Sequence, residues 1–345
     1  MRLSIILPCR NEARYIGACL DSILASEHPR ADLEVLVVDG RSDDGTREIV
    51  AGYAARHPAI RLLDNPKGIV PTALNLGIRA AAGDVIMRMD AHVVYPPDYI
   101  PRLLTALEES GADNVGGCIA TLPAGPGPVA RAIAIALSHR FGVGNSHFRV
   151  GASAPRLVDT VPFGCYRREV FDRIGLFDEE LVRNQDDEFN HRLIRHGGRV
   201  LLVPGVVASY YPRGSFPQLA RMYYQYGCFK PLVARKLGRV MTIRQLVPPA
   251  FVLGVLLLGL LAPAWPPARL LWLGVMGSYA LAVALAVLSS PAARSPRTAL
   301  ALAAAFPVVH ASYGAGFLRG VWGLAMGPRR PWADPGVVPL SRGSE

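Results

Sequence analysis

Between Glu188 and Asp334 the chain carries no aspartate or glutamate. All of the 27 acidic residues except Asp334 and Glu345 therefore lie within the first 188 positions, and any carboxylate chemistry belongs there. The acid-free part holds three apolar runs, about Leu246–Trp265, Leu270–Ser290 and Thr298–Leu318. A bilayer core needs about 20 apolar residues of helix, so three such runs in succession predict membrane spans rather than a buried soluble core. Pro307, His310 and Ser312 interrupt the third, which is read as spanning, tilted or re-entrant.

The net charge of +10 is concentrated beside these runs. Arg213, Arg221, Lys230, Arg235, Lys236, Arg239 and Arg244 precede the first with no acid among them, and Arg294 and Arg297 lie between the second and third. That excess predicts a cytoplasmic face toward anionic lipid or a phosphorylated ligand. Nucleic acid is excluded as a partner, because the charge adjoins apolar spans and no reading motif accompanies it. Arg319, Arg329 and Arg330 fit that side poorly if the third run crosses completely. The apolar run Met1–Leu7 is too short for a signal peptide, so the N-terminal part is expected in the cytoplasm, anchored to the plasma (inner) membrane by a multi-pass region. Cys9, Cys19, Cys118, Cys165 and Cys228 show no paired spacing and are expected as reduced thiols.

The first ninety residues alternate strand and helix. Strands are expected at Leu3–Leu7, Leu33–Val38, Ile60–Leu63 and Val85–Met89, with helices over Ala13–Ser26, Asp44–Arg56 and Pro71–Ala82 between them. This pattern predicts an α/β domain with a mostly parallel sheet covered by helices. Ligands of such sheets sit beyond the carboxyl ends of the strands. Here those ends are Pro8-Cys9-Arg10-Asn11-Glu12, Asp39, Asp64-Asn65 and Asp90, which together outline one crevice. No GxGxxG follows the first strand, which argues against a dinucleotide dehydrogenase.

Two segments carry the chemistry. In Met89-Asp90-Ala91-His92, extended spacing of two would put Asp90 and His92 on one side of the chain, suited to a cation and its phosphate ligands. In Asp39-Gly40-Arg41-Ser42-Asp43-Asp44-Gly45-Thr46, a helix cap at Ser42 or Asp43 accounts for part of the pattern. The other part is Asp39, expected to stay free to accept hydrogen bonds from a nucleobase or ribose.

These motifs, with Ser4-Ile5-Ile6-Leu7-Pro8-Cys9-Arg10-Asn11-Glu12, resemble a family 2 glycosyltransferase of the GT-A fold over roughly the first 240 residues. The resemblance implies that Pro8, Arg10, Glu12, Asp39 and Asp90 hold a nucleotide sugar. It also implies that Asp90 and His92 occupy the Asp-x-Asp motif, which binds a divalent metal, Mn²⁺ or Mg²⁺. His92 replaces the family's usual last Asp; it is a metal ligand that favours Mn²⁺, or a donor to a phosphate oxygen. Asn184-Gln185-Asp186-Asp187-Glu188 resembles the family's acceptor-side Glu-Asp motif, with Gln185 where Glu is usual. Acids in a first helical turn also complement the helix dipole. Asp186 is the expected base, Asp187 its competitor, and Gln185, Arg192 and Arg221 the acceptor or phosphate side.

In the middle, Val129–Arg140 is expected as a helix lying on the membrane or packed in a core, and Phe141–Leu157 as a mobile loop. The expected organisation is a cytoplasmic GT-A domain over 1–212, basic interfacial helices over 213–245, about three transmembrane helices over 246–327 and a tail over 328–345. No Trp follows Arg221, where processive relatives carry Gln-x-x-Arg-Trp, so a single transfer is expected. The resemblance extends to succinoglycan-type exopolysaccharide glucosyltransferases. It implies transfer of one hexose from a nucleotide-diphosphate sugar, a UDP-sugar foremost, to a polyprenyl-diphosphate-linked saccharide. The rivals are a polyprenyl-phosphate monoglycosyltransferase and a catalytically inactive membrane scaffold.

Overall fold

The computed structural model describes residues 2–27, 32–238 and 242–326. In chain order the elements are β1 (Leu3–Cys9), α1 (Ile16–Leu24), β2 (Leu33–Asp39), α2 (Thr46–Arg56), β3 (Ile60–Asp64), α3 (Val70–Ala80), β4 (Val85–Arg88), β5 (Val93–Val94), α4 (Tyr99–Ser110) and β6 (Asn114–Thr121). Next come α5 (Pro128–Ala136), α6 (Arg140–Val143), α7 (His147–Val150), β7 (Arg156–Leu157), β8 (Cys165–Arg167), α8 (Glu169–Ile174), α9 (Gln185–Arg195) and β9 (Val200–Tyr210). The chain continues with α10 (Phe216–Leu237), α11 (Val247–Leu261), α12 (Pro266–Leu288) and α13 (Pro296–Ala325).

These elements form two compact units. The first takes the described residues up to Ala120 and Gly151–Tyr210; the second takes Thr121–Val150 and those from Tyr211 onward. The first unit is a mixed α/β domain whose sheet runs β3-β2-β1-β4-β8-β6-β9-β5, with β7 on β9. β1 is parallel to β2 and β4, and β2 to β3, as the alternation predicts. Beyond β4 the sheet turns antiparallel, through β8. β1 and β2 are fully or nearly fully buried, which is why their sequences are mostly apolar; the interruptions Ser4 and Glu34 hydrogen-bond to each other. The parallel register ends β1 and β2 together, pairing Cys9 with Asp39, so the polar residues after both strands emerge at one edge.

The second unit resumes at Tyr211, beside the expected boundary near 212, and also takes in an earlier segment. Residues 121–150 belong with the apolar helices, because Ala132 and Ala136 of α5 fit against Val283, Val287, Leu302 and Phe306. The expected helix Val129–Arg140 is thus packed in a core. The expected loop Phe141–Leu157 contains two single-turn helices, α6 and α7, and the short β7. Among the described residues three helices are long and apolar enough to cross a membrane, over Ile243–Leu261, Pro266–Leu288 and Pro296–Ala325. The third is one continuous helix that accommodates Pro307 rather than a re-entrant segment. Gly316 and Gly320 let α13 approach α10 closely: a Cβ on either would collide with the carbonyl of Tyr224 or Cys228. Gly327, Arg239, Arg329, Arg330 and the tail over 328–345 lie outside the described residues.

Candidate active site

The edge at the ends of β1 and β2 is built by reciprocal hydrogen bonds between two loops. The Asn11 amide donates to Ser42 Oγ at 2.8 Å, Asn11 Nδ2 to Asp43 Oδ1 at 2.8 Å, and the Asp43 amide back to Asn11 Oδ1 at 3.0 Å. The Glu12 amide donates to Thr46 Oγ1 at 2.8 Å and the Ala13 amide to Asp44 Oδ2 at 3.1 Å. Asn11 and Arg41 both adopt positive φ, 55° and 59°, so each loop turns sharply where it meets the other. Burial pushes the Asp44 carboxyl up, but hydrogen bonds from Thr46 and the Ala13 amide hold it below its ordinary range.

Asp39 differs from its sequence expectation. Its carboxylate is fully buried, accepting from the Ser42 amide at 3.0 Å, Ser42 Oγ at 2.5 Å and Arg47 Nη1 at 2.7 Å. It therefore shapes the loop from below instead of standing free. Arg47 bridges onward to Asp64 at 3.1 Å, joining the ends of β2 and β3. Arg10 lies across two glycines: a Cβ at Gly40 would meet Arg10 Cβ at 3.2 Å, and one at Gly68 would meet Arg10 Nη1 at 2.7 Å. Pro8 sits within β1, one residue before the edge.

Asp90 and His92 lie in the turn between β4 and β5, not in extended strand. The Asp90 amide donates to the Tyr95 hydroxyl at 2.9 Å, and Cys19 Sγ from α1 approaches its carbonyl at 3.6 Å. His92 Nδ1 lies 3.3 Å from Glu12 Oε1, and its ring tilts against Tyr210 with centroids 5.5 Å apart. Glu12 and His92, assigned to the same site from separate motifs, are thus neighbours.

The residue that ties the site together is Arg88, the last of β4. Its Nε donates to Asp90 Oδ1 at 3.1 Å and its Nη2 to Asp90 Oδ2 at 3.3 Å, a side-on pair; its Nη1 donates to Asp186 Oδ2 at 3.2 Å. Asp90 and Asp186, 96 positions apart in the chain, therefore share one guanidinium. Three charges in contact at a largely buried site are mutually dependent. Desolvation pushes the Asp186 carboxyl above its ordinary value, Arg88 pulls it back, and Asp187 and Asp90 push it up again. The guanidinium itself is held more firmly protonated, since the pull of Asp90 and Asp186 outweighs the cost of its burial. Arg88 was missed in the sequence, although a charge closing the otherwise buried run Val85-Ile86-Met87 signals a required partner.

Asp186 and Asp187 open α9, whose Asn184 adopts φ 61°. The helix is locked by its buried face. Phe189 stacks on Phe177 with centroids 4.4 Å apart, and Asn190 donates to Thr160 Oγ1 at 2.9 Å while accepting from Asn114 at 2.8 Å. Arg192 is also part of this lock. It pairs with Glu188 at 2.8 Å and donates to the carbonyls of Ile174 and Leu176, so its guanidinium is turned into the body of the unit. Gln185 is buried at the helix start, and Arg221 lies exposed on α10 of the second unit.

Among the described residues no three His, Cys, Asp or Glu side chains converge as a metal cage. The donors at the β4 turn do fit a cation held mainly by its substrate. Magnesium-type ions take one or two carboxylates and complete their shell with phosphate oxygens and water. Asp90, with 20% of its side chain exposed, offers one such carboxylate.

Comparison with known proteins gives this arrangement its family. The pattern described as glycosyl transferase family 2 matches residues 4–175. The succinoglycan biosynthesis protein ExoA of Rhizobium meliloti (strain 1021) is 32% identical over 320 residues, covering 91% of this chain and 93% of ExoA. The chain belongs to glycosyl transferase family 2. A second relative of this family 2 protein is the dolichyl N-acetyl-alpha-D-glucosaminyl phosphate 3-beta-D-2,3-diacetamido-2,3-dideoxy-beta-D-glucuronosyltransferase of Methanococcus voltae. It is 29% identical over 242 residues, 68% of this chain and 74% of its own. Among solved structures, the mannosyltransferase PcManGT from Pyrobaculum calidifontis, in complex with GDP-Man and Mn²⁺, superposes with a TM-score of 0.58 at 21% identity. The match spans 93% of this chain and 87% of that one, and it shows that the fold is shared. The family pattern ends short of α9, so in this family 2 chain the position of Asp186 rests on the geometry around Arg88.

Proposed function

We propose that this family 2 glycosyltransferase inverts the sugar carbon it attacks, moving a single hexose from a nucleotide-diphosphate sugar to a polyprenyl-diphosphate-linked saccharide in exopolysaccharide or cell-envelope glycan synthesis. A UDP-sugar is the first donor to test. One observation carries the reading: Arg88 joins Asp90 at 3.1 Å and Asp186 at 3.2 Å, which supports a donor-side role for one carboxylate and an acceptor-side role for the other at a shared site.

The nucleoside would lie along the clamped loops at residues 8–12 and 39–46, with Arg10 over Gly40 and Gly68. Asp90, with His92 beside Glu12, would hold a divalent cation, Mn²⁺ or Mg²⁺. When bound, that cation offsets the negative charge of the departing diphosphate. Asp186 takes the proton of the acceptor hydroxyl as the hydroxyl oxygen bonds to the sugar carbon, while the bond from that carbon to the diphosphate oxygen breaks on the opposite face. A carboxylate raised above its ordinary pKa, as Asp186 is, is a stronger base than a solvated one, and such groups contribute about 10²–10⁴-fold. Asp187 borders Asp186 on α9 and is the alternative base. Gln185 and Arg221 are assigned to the acceptor side. Arg192, committed to Glu188 and two carbonyls, acts through the placement of α9.

A lipid-linked acceptor is supported by the three helices long enough to cross a membrane and by the names of the relatives. A cytoplasmic catalytic unit at the inner membrane is supported by Arg235, Lys236 and Arg244 beside the first span. A polyprenyl-phosphate monoglycosyltransferase is the second reading. It is favoured by a 95-residue likeness, 37% identical, to the dolichyl-phosphate beta-glucosyltransferase ALG5C of Trichomonas vaginalis, though this covers only 26% of the chain.

The test is to supply membranes containing the protein with labelled nucleotide sugars and to characterise the extracted lipid product by mass spectrometry and NMR. The proposal expects an oligosaccharide longer by one hexose, with the donor's anomeric configuration inverted. One sugar on bare polyprenyl phosphate would select the second reading, and retention of configuration would overturn the mechanism.

A further inference from the structure

Within the second unit, a cavity of about 540 Å³ lies among α5, the end of α12 and the start of α13, and none of its lining residues belongs to the site just described. That volume is typical of a small-molecule site. Its polar walls are Arg131, His139, Ser138, Ser289, Ser290 and Thr298. It opens where two membrane-length helices meet their polar turn, and Leu285, Leu288 and Leu300 beside that turn are 57%, 70% and 75% exposed. A mainly apolar pocket that carries Arg131, His139 and several hydroxyls, at a helix turn flanked by exposed leucines, matches a lipid headgroup with its chains.

The charges point the same way. The described residues of this unit contain no aspartate or glutamate, so the unit supplies no carboxylate to Arg131. An arginine beside a membrane, with five donors and no acid in its own unit, is suited to a phosphate oxyanion. His139 adds a donor. Its Nδ1 accepts from the Phe141 amide at 3.1 Å, so the neutral ring carries its proton on Nε2.

The serines supply the opposite polarity. Ser138 donates to the Ala134 carbonyl at 3.0 Å, Ser289 to Ala286 at 3.2 Å and Ser290 to Val287 at 2.8 Å. Each hydroxyl spends its proton on its own helix; Ser290 also accepts from the Ala292 amide at 3.2 Å, while Ser138 and Ser289 keep lone pairs for a ligand's donor. A ligand that matches the cavity carries an anionic phosphate, hydroxyl donors on its headgroup and apolar chains.

We propose that this cavity is a binding site for an anionic glycerophospholipid with a hydroxyl-bearing headgroup, of the phosphatidylglycerol type, its phosphate on Arg131 and His139. Such a lipid would brace α5 against the α12–α13 turn. The site is independent of the transfer reaction, and it would stand if the donor or acceptor assignment fell.

The test is native mass spectrometry of the full chain, purified in detergent and exposed to an equimolar mixture of phosphatidylglycerol and phosphatidylcholine. The expected result is preferential retention of phosphatidylglycerol, reduced about 10-fold in Arg131→Gln, the scale of one lost hydrogen bond to a charged group. Arg269→Gln, an exposed arginine that does not line the cavity, should retain the lipid as the unaltered chain does. Inorganic phosphate at millimolar concentration should not displace it. Equal retention of the two lipids, or unchanged retention in Arg131→Gln, would overturn the proposal. Displacement by inorganic phosphate would mark a free-anion site and also refute the lipid.

Discussion

Replacing Arg88 with methionine keeps the length of the side chain and removes the charge that Asp90 and Asp186 share. Breaking a fully buried ion pair from one side costs about 3–5 kcal/mol. Here the carboxylate side chains are 20% and 36% exposed, so water recovers part of that, and about 2 kcal/mol is the expected loss. For a unit of this size such a loss corresponds to a fall in Tm of roughly 4–8 °C.

The pH dependence separates this cause from a packing defect. Desolvation already holds the folded-state pKa of Asp186 above 3.8, and Arg88 is the group that lowers it. An acid with a raised folded pKa costs stability in full above that pKa, and the cost disappears below the unfolded value. Arg88→Met raises the folded pKa further, so the deficit relative to the unaltered protein should be largest near pH 8. It should shrink as the pH falls to about 4 and below, where the Asp186 carboxyl protonates in both states. Thermal unfolding followed at a series of pH values in one detergent measures this directly. A deficit that stays constant with pH, or grows on acidification, would refute the shared-charge account of the cleft.

Other outcomes follow from the same geometry. Asp90→Asn should weaken donor binding in the presence of Mn²⁺, read by calorimetry, while leaving Tm within a few degrees. The transfer rate should fall on acidification through a pKa above 3.8, and Asp186→Glu should move that midpoint while a structural role for Asp186 would not. Arg192→Ala should lower Tm by several degrees, because it removes a staple to Glu188, Ile174 and Leu176; unchanged stability would return Arg192 to the acceptor side. Gly316→Leu should abolish the close contact of α13 with α10 and the yield of folded protein, measured by size-exclusion chromatography, since its side chain would meet the Tyr224 carbonyl.

The parallel half of the fold was legible because β1, β2 and β4 are buried and read as largely apolar runs bounded by polar turns, and the edge strand β3 continues their alternation with helices. The antiparallel half was not. β9 alternates buried and half-exposed positions and carries Pro204 and Gly205 in its middle, and β5 and β7 are two residues each. α6 and α7 are single turns, too short to show a helical period. The placement of residues 121–150 escaped notice because alanines such as Ala132 and Ala136 carry little signal in a sequence, though their small size is what lets α5 pack closely.

At the site, the order of motifs pointed to residues that the fold makes neighbours, while their hydrogen-bond partners were not legible. Asp90 and Asp186 share Arg88, and His92 lies beside Glu12. Asp39 is spent on Ser42 and Arg47, because a carboxylate ending a fully buried strand must be satisfied from within. No spacing rule could show that Arg88 connects Asp90 to Asp186, since the contact depends on how the sheet brings β4 beside α9.

The division of labour across that guanidinium can be measured in one variant. In Asp186→Asn, donor nucleotide sugar bound with Mn²⁺ should keep its Kd within about threefold, while the rate of sugar transfer falls about 10²–10⁴-fold. A variant that still transfers near the original rate, or one that loses donor binding and transfer together, would contradict the assignment of Asp186 to the acceptor's proton.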